Sequence, residues 1–195
     1  CSRACVSCGT EPFGMVPRMN RMTHTISRRS LLLSGAASLG LAACSINSTS
    51  EAADAENADN EEQYADSEWR RLTNDDWRAR LSAAAYGVMR EEGTERPFTS
   101  DLNKEARTGT YHCAGCDLAL FSSDTKFDSG TGWPSFYDVL PGAMGTKPDR
   151  KLIYVRTEYH CAQCLGHQGH VFEDGPEPTG LRYCNNGVAL TFKPA

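Results

Sequence analysis

Hydrophobic and polar positions begin to alternate regularly near Trp69. The segment TNDDWRARLSAAAYGVMREEG starts with the capping residues Thr73 or Asn74, has acidic residues in its first turn and stops at Gly93. Ser82, within this segment, can cap a second short helix. The pattern therefore predicts short helices at the start of the folded part of the chain.

The pattern after these helices is typical of β-strands. Residues 151–161, KLIYVRTEYHC, are rich in β-branched and aromatic side chains. Farther along, RYCN and VALTF flank Asn186 and Gly187, which together are a turn signal. Glycine and proline interrupt the whole region, so we predict one mainly β domain over residues 67–195.

A different pattern precedes this domain. The apolar run Leu31–Ala43 is shorter than the ~20 residues that span a bilayer, and it fits the hydrophobic part of a signal peptide. Arg28-Arg29 just before it resemble a twin-arginine signal, and LAAC resembles a lipobox in which Cys44 becomes a lipidated N-terminus. We predict a signal peptide over residues 22–43; the alternative is an ordinary signal cleaved at a nearby small residue.

The sequence begins with cysteine rather than methionine. Translation from Met19 or Met22 gives a short basic segment before the apolar run, and Met15 is a third candidate start. Residues 1–21 are then untranslated or belong to that basic segment. The alternative is an N-terminal metal or disulfide cluster, although no helix or strand pattern accompanies the cysteines concerned: Cys1, Cys5 and Cys8.

The chain has a formal net charge of −5, and its charged residues are distributed unevenly over three parts. Residues 1–43 carry five arginines and one acid, and residues 44–66 carry seven acids and no base. The rest carries fifteen bases and seventeen acids. Because residues 44–66 contain almost no large apolar side chain, we predict a disordered acidic linker there. The nearly neutral body offers no basic surface, so no nucleic acid is expected as a partner.

Four cysteines form two CxxC pairs, Cys113-Ala-Gly-Cys116 and Cys161-Ala-Gln-Cys164. A CxxC turn points two thiolates at one centre, and two such turns complete the tetrahedron that Zn²⁺ prefers. We predict a structural zinc clip that joins distant segments and contributes directly to folding. The alternative is a thioredoxin-like redox motif, which the duplication and the absence of a βαβ pattern disfavour.

Cys184 is left without a cysteine partner in the predicted domain. If its segment is extended, Arg182, Cys184 and Asn186 share one face of the strand. A guanidinium beside a thiol favours the nucleophilic thiolate, and an amide can orient a bound oxygen. Upstream, HQGHVF supplies His167 and His170, which are acid or base candidates near neutral pH. The alternatives are an inert buried thiol and two histidines of the core or surface.

Together these motifs resemble those of the methionine-R-sulfoxide reductases, the MsrB family. The resemblance covers about residues 70–193 and rests on GTERPF, both CxxC pairs, SGTGWPSF, GHVFEDGP and RYCNNG, in the family's order. It implies two antiparallel sheets with short N-terminal helices and a zinc site remote from the active site. It also implies reduction of the R epimer of methionine sulfoxide in proteins, since each epimer has its own reductase.

The resemblance further implies roles for individual residues. Cys184 matches the nucleophile that attacks the sulfoxide sulfur and becomes a sulfenic acid, and Arg182 matches the residue that favours its thiolate. His170 and Asn186 match the groups that bind and protonate the sulfoxide oxygen, with His167 in the same network. Such a set is required because a sulfoxide is a poor electrophile until its oxygen is protonated or strongly hydrogen-bonded.

Two more matches concern the substrate's surroundings, and two positions depart from the family. Trp133 matches the indole that packs against the substrate's ε-methyl group, and Asp174 matches an acid that orients a histidine.

Thr131 stands where many members have a resolving cysteine, in SGCGWPSF, and Gln168 replaces the leucine of HLGH. We expect the change at Gln168 to affect packing only.

The threonine changes the expected catalytic cycle. Without a cysteine at position 131, the Cys184 sulfenic acid cannot form the usual intramolecular disulfide. We therefore expect a thioredoxin-like protein or a small thiol to reduce it directly. Cys44, on its linker, can substitute as the partner only if its sulfur is not lipidated.

Two other functions fit parts of the sequence. A zinc-dependent binding module would make Cys184 incidental, but the body lacks the basic face that would support it. A Cys-His hydrolase would use Cys184 and His170, but the sequence shows neither an oxyanion-hole motif nor a protease-like context. We expect an exported bacterial repair enzyme, periplasmic or membrane-anchored through Cys44, that acts on oxidised proteins.

Overall fold

The computed structural model describes residues 60–195, and this part of the chain contains two antiparallel sheets. The strands are β1 Gly109–Cys113, β2 Ala119–Ser122, β3 Lys126–Phe127, β4 Ser135–Phe136, β5 Met144–Asp149, β6 Arg156–Cys161, β7 His167–Phe172, β8 Arg182–Asn185 and β9 Leu190–Pro194. One sheet has the order β2-β1-β9, and the other has the order β3-β4-β8-β7-β6-β5. The mainly β prediction is confirmed, whereas the predicted signal peptide and Cys44 lie outside the described residues.

Two short helices precede the sheets, as the capping signals predict. Helix α1 spans Asn74–Arg80, and Thr73 forms a capping box with Asp76 at its N-terminus. Helix α2 spans Ala83–Met89, and the hydroxyl of Ser82 accepts the N–H of Ala85 at 3.1 Å. Single 3-10 turns occur at Glu68–Arg71, Asp101–Lys104, Ser123–Thr125 and Gly187–Ala189. No helix of the described residues is both long and apolar enough to cross a membrane.

Aromatic side chains fill the space between the two sheets. Phe121 of β2 stacks on Phe136 of β4 with ring centroids 4.1 Å apart. Tyr111 of β1 meets Phe136 edge-on at 4.9 Å, and Tyr159 of β6 meets Phe121 at 6.3 Å. All four side chains are fully buried. Each contributes about 1.5–3 kcal/mol of apolar burial, so this cluster holds the sheets face to face.

The strands on either side of Asn186 and Gly187 exist, but they do not pair with each other. β8 lies between β4 and β7 in the larger sheet, whereas β9 pairs with β1 in the smaller one. The 3-10 turn at Gly187–Ala189 carries the chain between them. The turn signal therefore marks a change of sheet and not a hairpin.

The strand predicted over residues 151–161 is shorter than expected. The pairing of β5 with β6 ends where Asp149 lies opposite Arg156. Residues 150–155 form the connection between the two strands, and its apolar side chains are exposed: Leu152, Ile153, Tyr154 and Val155. Strand propensity reflects packing on a neighbouring strand, and this connection lies beyond the paired part of both strands.

Residues 60–66, which were expected to belong to the disordered linker, pack on the body. The side-chain amides of Asn60 and Gln63 donate to main-chain oxygens at and just before β5, at 3.2 and 3.1 Å. Glu61 Oε1 lies 2.9 Å from His160 Nε2 on β6. These contacts are polar, so a composition argument based on missing apolar side chains does not detect them.

Candidate active site

Strand pairing fixes the position of Cys184 in the middle of the larger sheet. Cys184 on β8 lies directly opposite His170 on β7 and Ser135 on β4. Gly169 lies opposite Asn185, and a Cβ at Gly169 would collide with the carbonyl oxygen of Cys184. Glycine is therefore required for the close approach of β7 and β8, and that approach places the His170 imidazole beside the thiol.

A cavity of about 110 Å³ opens above this point of the sheet. It is lined by Thr94, Trp133, Arg156, Gly169, His170, Phe172, Cys184 and Asn186. Four residues predicted for the site, Cys184, His170, Asn186 and Trp133, therefore meet in one place. The volume suits a single side chain, since sites for larger ligands usually occupy ~300–1,000 Å³.

The Cys184 thiol experiences opposing electrostatic effects. Burial raises its pKa, while the Arg182 guanidinium and a hydrogen bond from Thr131 lower the pKa. Arg182 does favour the thiolate, as expected, but the net shift of the pKa is upward. Asp174 explains part of this balance, because it forms two 2.8 Å hydrogen bonds with Arg182 and offsets its charge. Asp174 thus orients an arginine, and not the histidine expected from the sequence.

Asp149 is the carboxylate that orients His170. Its Oδ2 lies 2.8 Å from His170 Nε2 and 2.6 Å from the Arg156 guanidinium. Burial lowers the pKa of His170, and the hydrogen bond to Asp149 partly offsets that effect. A main-chain hydrogen bond from Lys151, followed by the one from His170, keeps the pKa of Asp149 well below its usual range. Sequence reasoning missed Asp149 because it lies in no motif and reaches the site only through the register of β5 with β6 and of β6 with β7.

His167 lies behind the site and does not line the cavity. Its side chain is 2% exposed, and its Nδ1 is 3.0 Å from Glu158 Oε1. The ring packs edge-on against His170 with centroids 5.4 Å apart. His167 therefore supports the catalytic face from the interior of the sheet.

Glu95 holds two cavity residues in place and was also missed. Its main-chain N–H donates to Asn186 Oδ1 at 3.0 Å, and its carbonyl accepts the Trp133 indole N–H at 3.1 Å. Its carboxylate accepts the main-chain N–H groups of residues 187–188 at 2.5 and 3.0 Å. Asn186 Nδ2 donates one hydrogen to the carbonyl of Gln168 at 2.9 Å, which leaves its second amide hydrogen for a ligand.

The four paired cysteines gather into one buried cluster. Their sulfur atoms all lie within 4.8 Å of one another, with Cys113 3.6 Å from Cys164 and Cys116 3.4 Å from Cys161. Hydrogen bonds from the other thiols, that of Cys116 first, lower the pKa of Cys113 well below its usual range. Interaction with Cys113 raises the pKa of the other three. Four thiolates can therefore coexist here only around a cation, and the donor set fits a tetrahedral metal site.

A buried polar chain connects this cluster to the catalytic strand. Gln168 Nε2 donates to Cys113 Sγ at 3.6 Å, and Gln168 Oε1 accepts from Asn185 Nδ2 at 3.4 Å. The Tyr159 hydroxyl donates to Asn185 Oδ1 at 2.9 Å. Gln168, Asn185 and Tyr159 are all fully buried. The expectation that Gln168 affects packing only is therefore wrong, because its amide satisfies polar groups on both sides.

We predict that Gln168→Leu, which introduces the leucine of the HLGH motif, lowers the free energy of unfolding by about 1–3 kcal/mol. The reason is that the Asn185 amide and the Cys113 thiolate each lose a buried partner. Urea titration followed by circular dichroism measures the change. Gln163→Leu, in the second CxxC turn but outside the polar chain, is the matched control and should change stability by less than ~0.5 kcal/mol. Equal stabilities of the Gln168→Leu variant and the unmodified protein would contradict the bridging role.

Comparison with known proteins gives a consistent result. The SelR domain family matches residues 81–194. A "Peptide methionine sulfoxide reductase MsrB" of Pseudomonas putida (strain W619) is 58% identical over 123 residues, covering 63% of this chain and 92% of that protein. Proteins of the same name from Pseudomonas entomophila (strain L48) and Agrobacterium fabrum are 56% and 54% identical, covering 63% and 61% of this chain and 94% and 89% of theirs.

One solved structure is a more distant match. The "Crystal Structure of Mis18 'Yippee-like' Domain" aligns with a TM-score of 0.36 and 15% identity, covering 46% of this chain and 98% of that one. A likeness of this size supports no conclusion about fold or function.

Proposed function

This chain belongs to the SelR-domain family and is a peptide-methionine (R)-S-oxide reductase; we propose that it works through a sulfenic acid on Cys184, without a resolving cysteine. One observation carries the proposal. The thiol, the His170 imidazole, the Asn186 amide and the Trp133 ring line a single cavity of side-chain size. The family relationship favours this activity over a zinc-dependent binding module or a Cys-His hydrolase.

The Cys184 thiolate attacks the sulfoxide sulfur, and a proton is delivered to the sulfoxide oxygen. A bond forms between the two sulfur atoms, and the oxygen then passes as hydroxyl to the cysteine sulfur as that bond breaks. The products are methionine, reduced by two electrons, and a Cys184 sulfenic acid, oxidised by two. Trp133 and Phe172, in the cavity wall, provide apolar surface for the substrate's methyl group.

His170 supplies the proton, and Asn186 holds the oxygen that receives it. When protonated, His170 keeps its Nε2–H on Asp149 and can donate from Nδ1 to the sulfoxide oxygen. The free amide hydrogen of Asn186 binds the same oxygen. Both donors are held from behind, by Asp149 and by Glu95, so they need little reorganisation when the charge develops on the oxygen.

The sulfenic acid must be reduced from outside the described domain. Among residues 60–195, the cysteines other than Cys184 are the four of the buried cluster. Thr131 occupies the position beside Cys184 and hydrogen-bonds to its sulfur. A thioredoxin-like protein or a small thiol then attacks the sulfenic sulfur and releases water. A second thiol, either in the same reductant protein or on a second molecule of the small thiol, then attacks the mixed disulfide, forms a disulfide with the first thiol and releases Cys184.

We predict that Cys184→Ser lowers reduction of an R-sulfoxide peptide by more than about a thousandfold, because a serine hydroxyl is not an effective nucleophile here. Circular dichroism and metal content should be unchanged. In the unmodified protein, one equivalent of sulfoxide without reductant should yield a dimedone adduct on Cys184 by mass spectrometry. Turnover retained in the serine variant, or a disulfide in place of the adduct, would refute the one-cysteine cycle.

We predict a pH–rate profile with a plateau between the pKa of His170, which burial lowers, and the pKa of Cys184, which burial raises. The reactive pair is the thiolate with protonated histidine, whose population is constant between the two pKa values. Below the pKa of His170, the thiolate population falls with pH while the histidine stays protonated. Above the pKa of Cys184, the population of protonated histidine falls while the thiolate stays constant. The rate therefore falls on both sides.

The variant Asp149→Asn tests which residue controls the acidic side. Asp149 raises the pKa of His170, so its removal should move the acidic limb to lower pH and reduce the plateau rate. Asp174→Asn is the matched control, because Asp174 pairs with Arg182 and should leave the acidic limb in place. An acidic limb that shifts equally in both variants would show that Asp149 has no special role.

We further propose that the four-cysteine cluster holds a structural Zn²⁺. Cys113, Cys116, Cys161 and Cys164 supply an all-sulfur tetrahedral donor set, which is typical of closed structural zinc sites. When bound, the ion would neutralise the thiolates and join the turn after β1 to the turn after β6. None of the four sulfurs lines the catalytic cavity, so the ion has no step in the reaction.

We predict one equivalent of zinc in the purified protein and its loss, together with folding, in Cys161→Ser. Metal analysis and circular dichroism measure the two properties on the same sample, and they should change together because ligation and folding are linked. Folded, active protein without metal would disprove the structural site.

We also propose that the protein is exported and lipid-anchored. The support is the sequence Arg28-Arg29, the apolar run up to Ala43 and the lipobox-like LAAC before the acidic linker. Export through the twin-arginine route would let zinc bind before the thiols meet an oxidising compartment. Fractionation of cells that express a double variant, Arg28→Lys with Arg29→Lys, would show whether export depends on this arginine pair.

A further inference from the structure

Six large apolar side chains of the described residues are exposed at the protein surface, and five of them adjoin segments that line the catalytic cavity. In the part of the chain that the structure describes, the exposed ones are Phe98, Leu152, Ile153, Tyr154, Val155 and Leu165. Ile153 is essentially fully exposed, and Phe98 is 73% exposed. Single exposed apolar residues are common, but a cluster indicates a contact surface.

The first part of this surface lies beside Arg156. Residues 152–155 belong to the connection between β5 and β6, which starts and ends at the paired residues Asp149 and Arg156. Arg156 lines the cavity, and Asp149 holds His170. The connection that carries the four apolar side chains therefore begins and ends at residues that adjoin the cavity, on the side where the acid is located.

The second part lies beside Trp133. The main-chain N–H of Phe98 donates to the carbonyl of Gly132 at 2.7 Å, and the Phe98 ring occupies the space where a Cβ of Gly132 would lie. Phe98 has a φ of 64°, in the left-handed region that bulky residues rarely adopt. An exposed aromatic residue kept in a strained conformation next to a cavity wall suggests a functional contact.

We propose that Phe98 and residues 152–155 form an apolar rim that binds the residues flanking methionine sulfoxide and selects polypeptide segments with large apolar side chains there. The proposal rests on the proposed function, because the cavity accepts one side chain and the adjoining residues of a protein substrate must cross its edge. Methionine is mostly buried in folded proteins, so the segments that contain it also carry other apolar side chains of the core. Oxidation makes the side chain polar and disrupts the core that contained it, which exposes those neighbours.

The test compares two peptides that carry methionine-R-sulfoxide, one with leucine and valine at the two positions on each side and one with serine there. The ratio of their kcat/KM values, measured for each enzyme, cancels general changes in activity. We expect a ratio of about fivefold or more in the unmodified protein, since apolar burial at the rim adds to transition-state binding. Ile153→Ser and Phe98→Gly should each bring the ratio close to one.

The variants are chosen to leave the fold intact. The Ile153 side chain is exposed, and glycine at position 98 accepts the positive φ without strain. Leu165→Gly is the matched control, because Leu165 is 41% exposed with a φ of 58° but follows the second CxxC motif and does not line the cavity. Its ratio should equal that of the unmodified protein.

Other outcomes would overturn the proposal. A ratio that does not change in Ile153→Ser and Phe98→Gly would remove the rim from substrate selection. If Ile153→Ser instead abolished co-sedimentation with vesicles of phosphatidylcholine and phosphatidylglycerol, the surface would be assigned to a lipid interface. If it abolished a concentration-dependent dimer in sedimentation velocity, the surface would be assigned to a second copy. N-acetyl-methionine-R-sulfoxide amide has no flanking residues, so it tests the proposed function without the rim. If the enzyme reduced neither this compound nor either peptide, the proposed function itself would be wrong.

Discussion

The pairing of β8 with β7 and β4 is the constraint on which the site depends. β8 is an interior strand, so its register is fixed from both sides and a shift by one residue would turn Cys184 away from the cavity. The same register places His170 directly opposite the thiol. Asp149 follows from it in turn, because β5 and β6 extend the sheet on the far side of β7.

The surroundings of His170 and Cys184 set the protonation states of the acid and the nucleophile. Burial disfavours charge on both groups, raising the pKa of Cys184 and lowering that of His170, so the resting pair is neutral. Arg182 and Asp149 each stabilise the charged form that the reaction needs. A thiol that is mostly protonated at rest reacts more slowly with oxidants than a thiolate does. This protects Cys184, because the other thiols of the described residues all belong to the four-cysteine cluster.

The sequence identifies the groups that react but not all of those that position them. Cys184, His170, Asn186 and Trp133 could be predicted because they lie in motifs, and both CxxC pairs because of their spacing. Asp149 lies in no motif and acts through strand register. Glu95 does lie in the GTERPF motif, but the motif does not show that its main chain and carboxylate hold Asn186, Trp133 and the following turn. Asp174 was assigned to the wrong partner because its motif shows proximity to the site but not which charged group faces it. The strand over 151–161 was overextended because propensity cannot show where the neighbouring strand stops pairing.

Gln168 shows how a single substitution changes the demands on the core. A leucine there would need only apolar neighbours, whereas the buried amide must find both a donor and an acceptor. The acceptor is the sulfur of Cys113 and the donor is the amide of Asn185. Since the Gln168 main chain also accepts from Asn186, the orientation of one residue is tied to the cluster, to the catalytic strand and to the amide that binds the sulfoxide oxygen. The four-cysteine cluster, which lines no part of the cavity, is thereby linked to its geometry through one hydrogen-bonded residue.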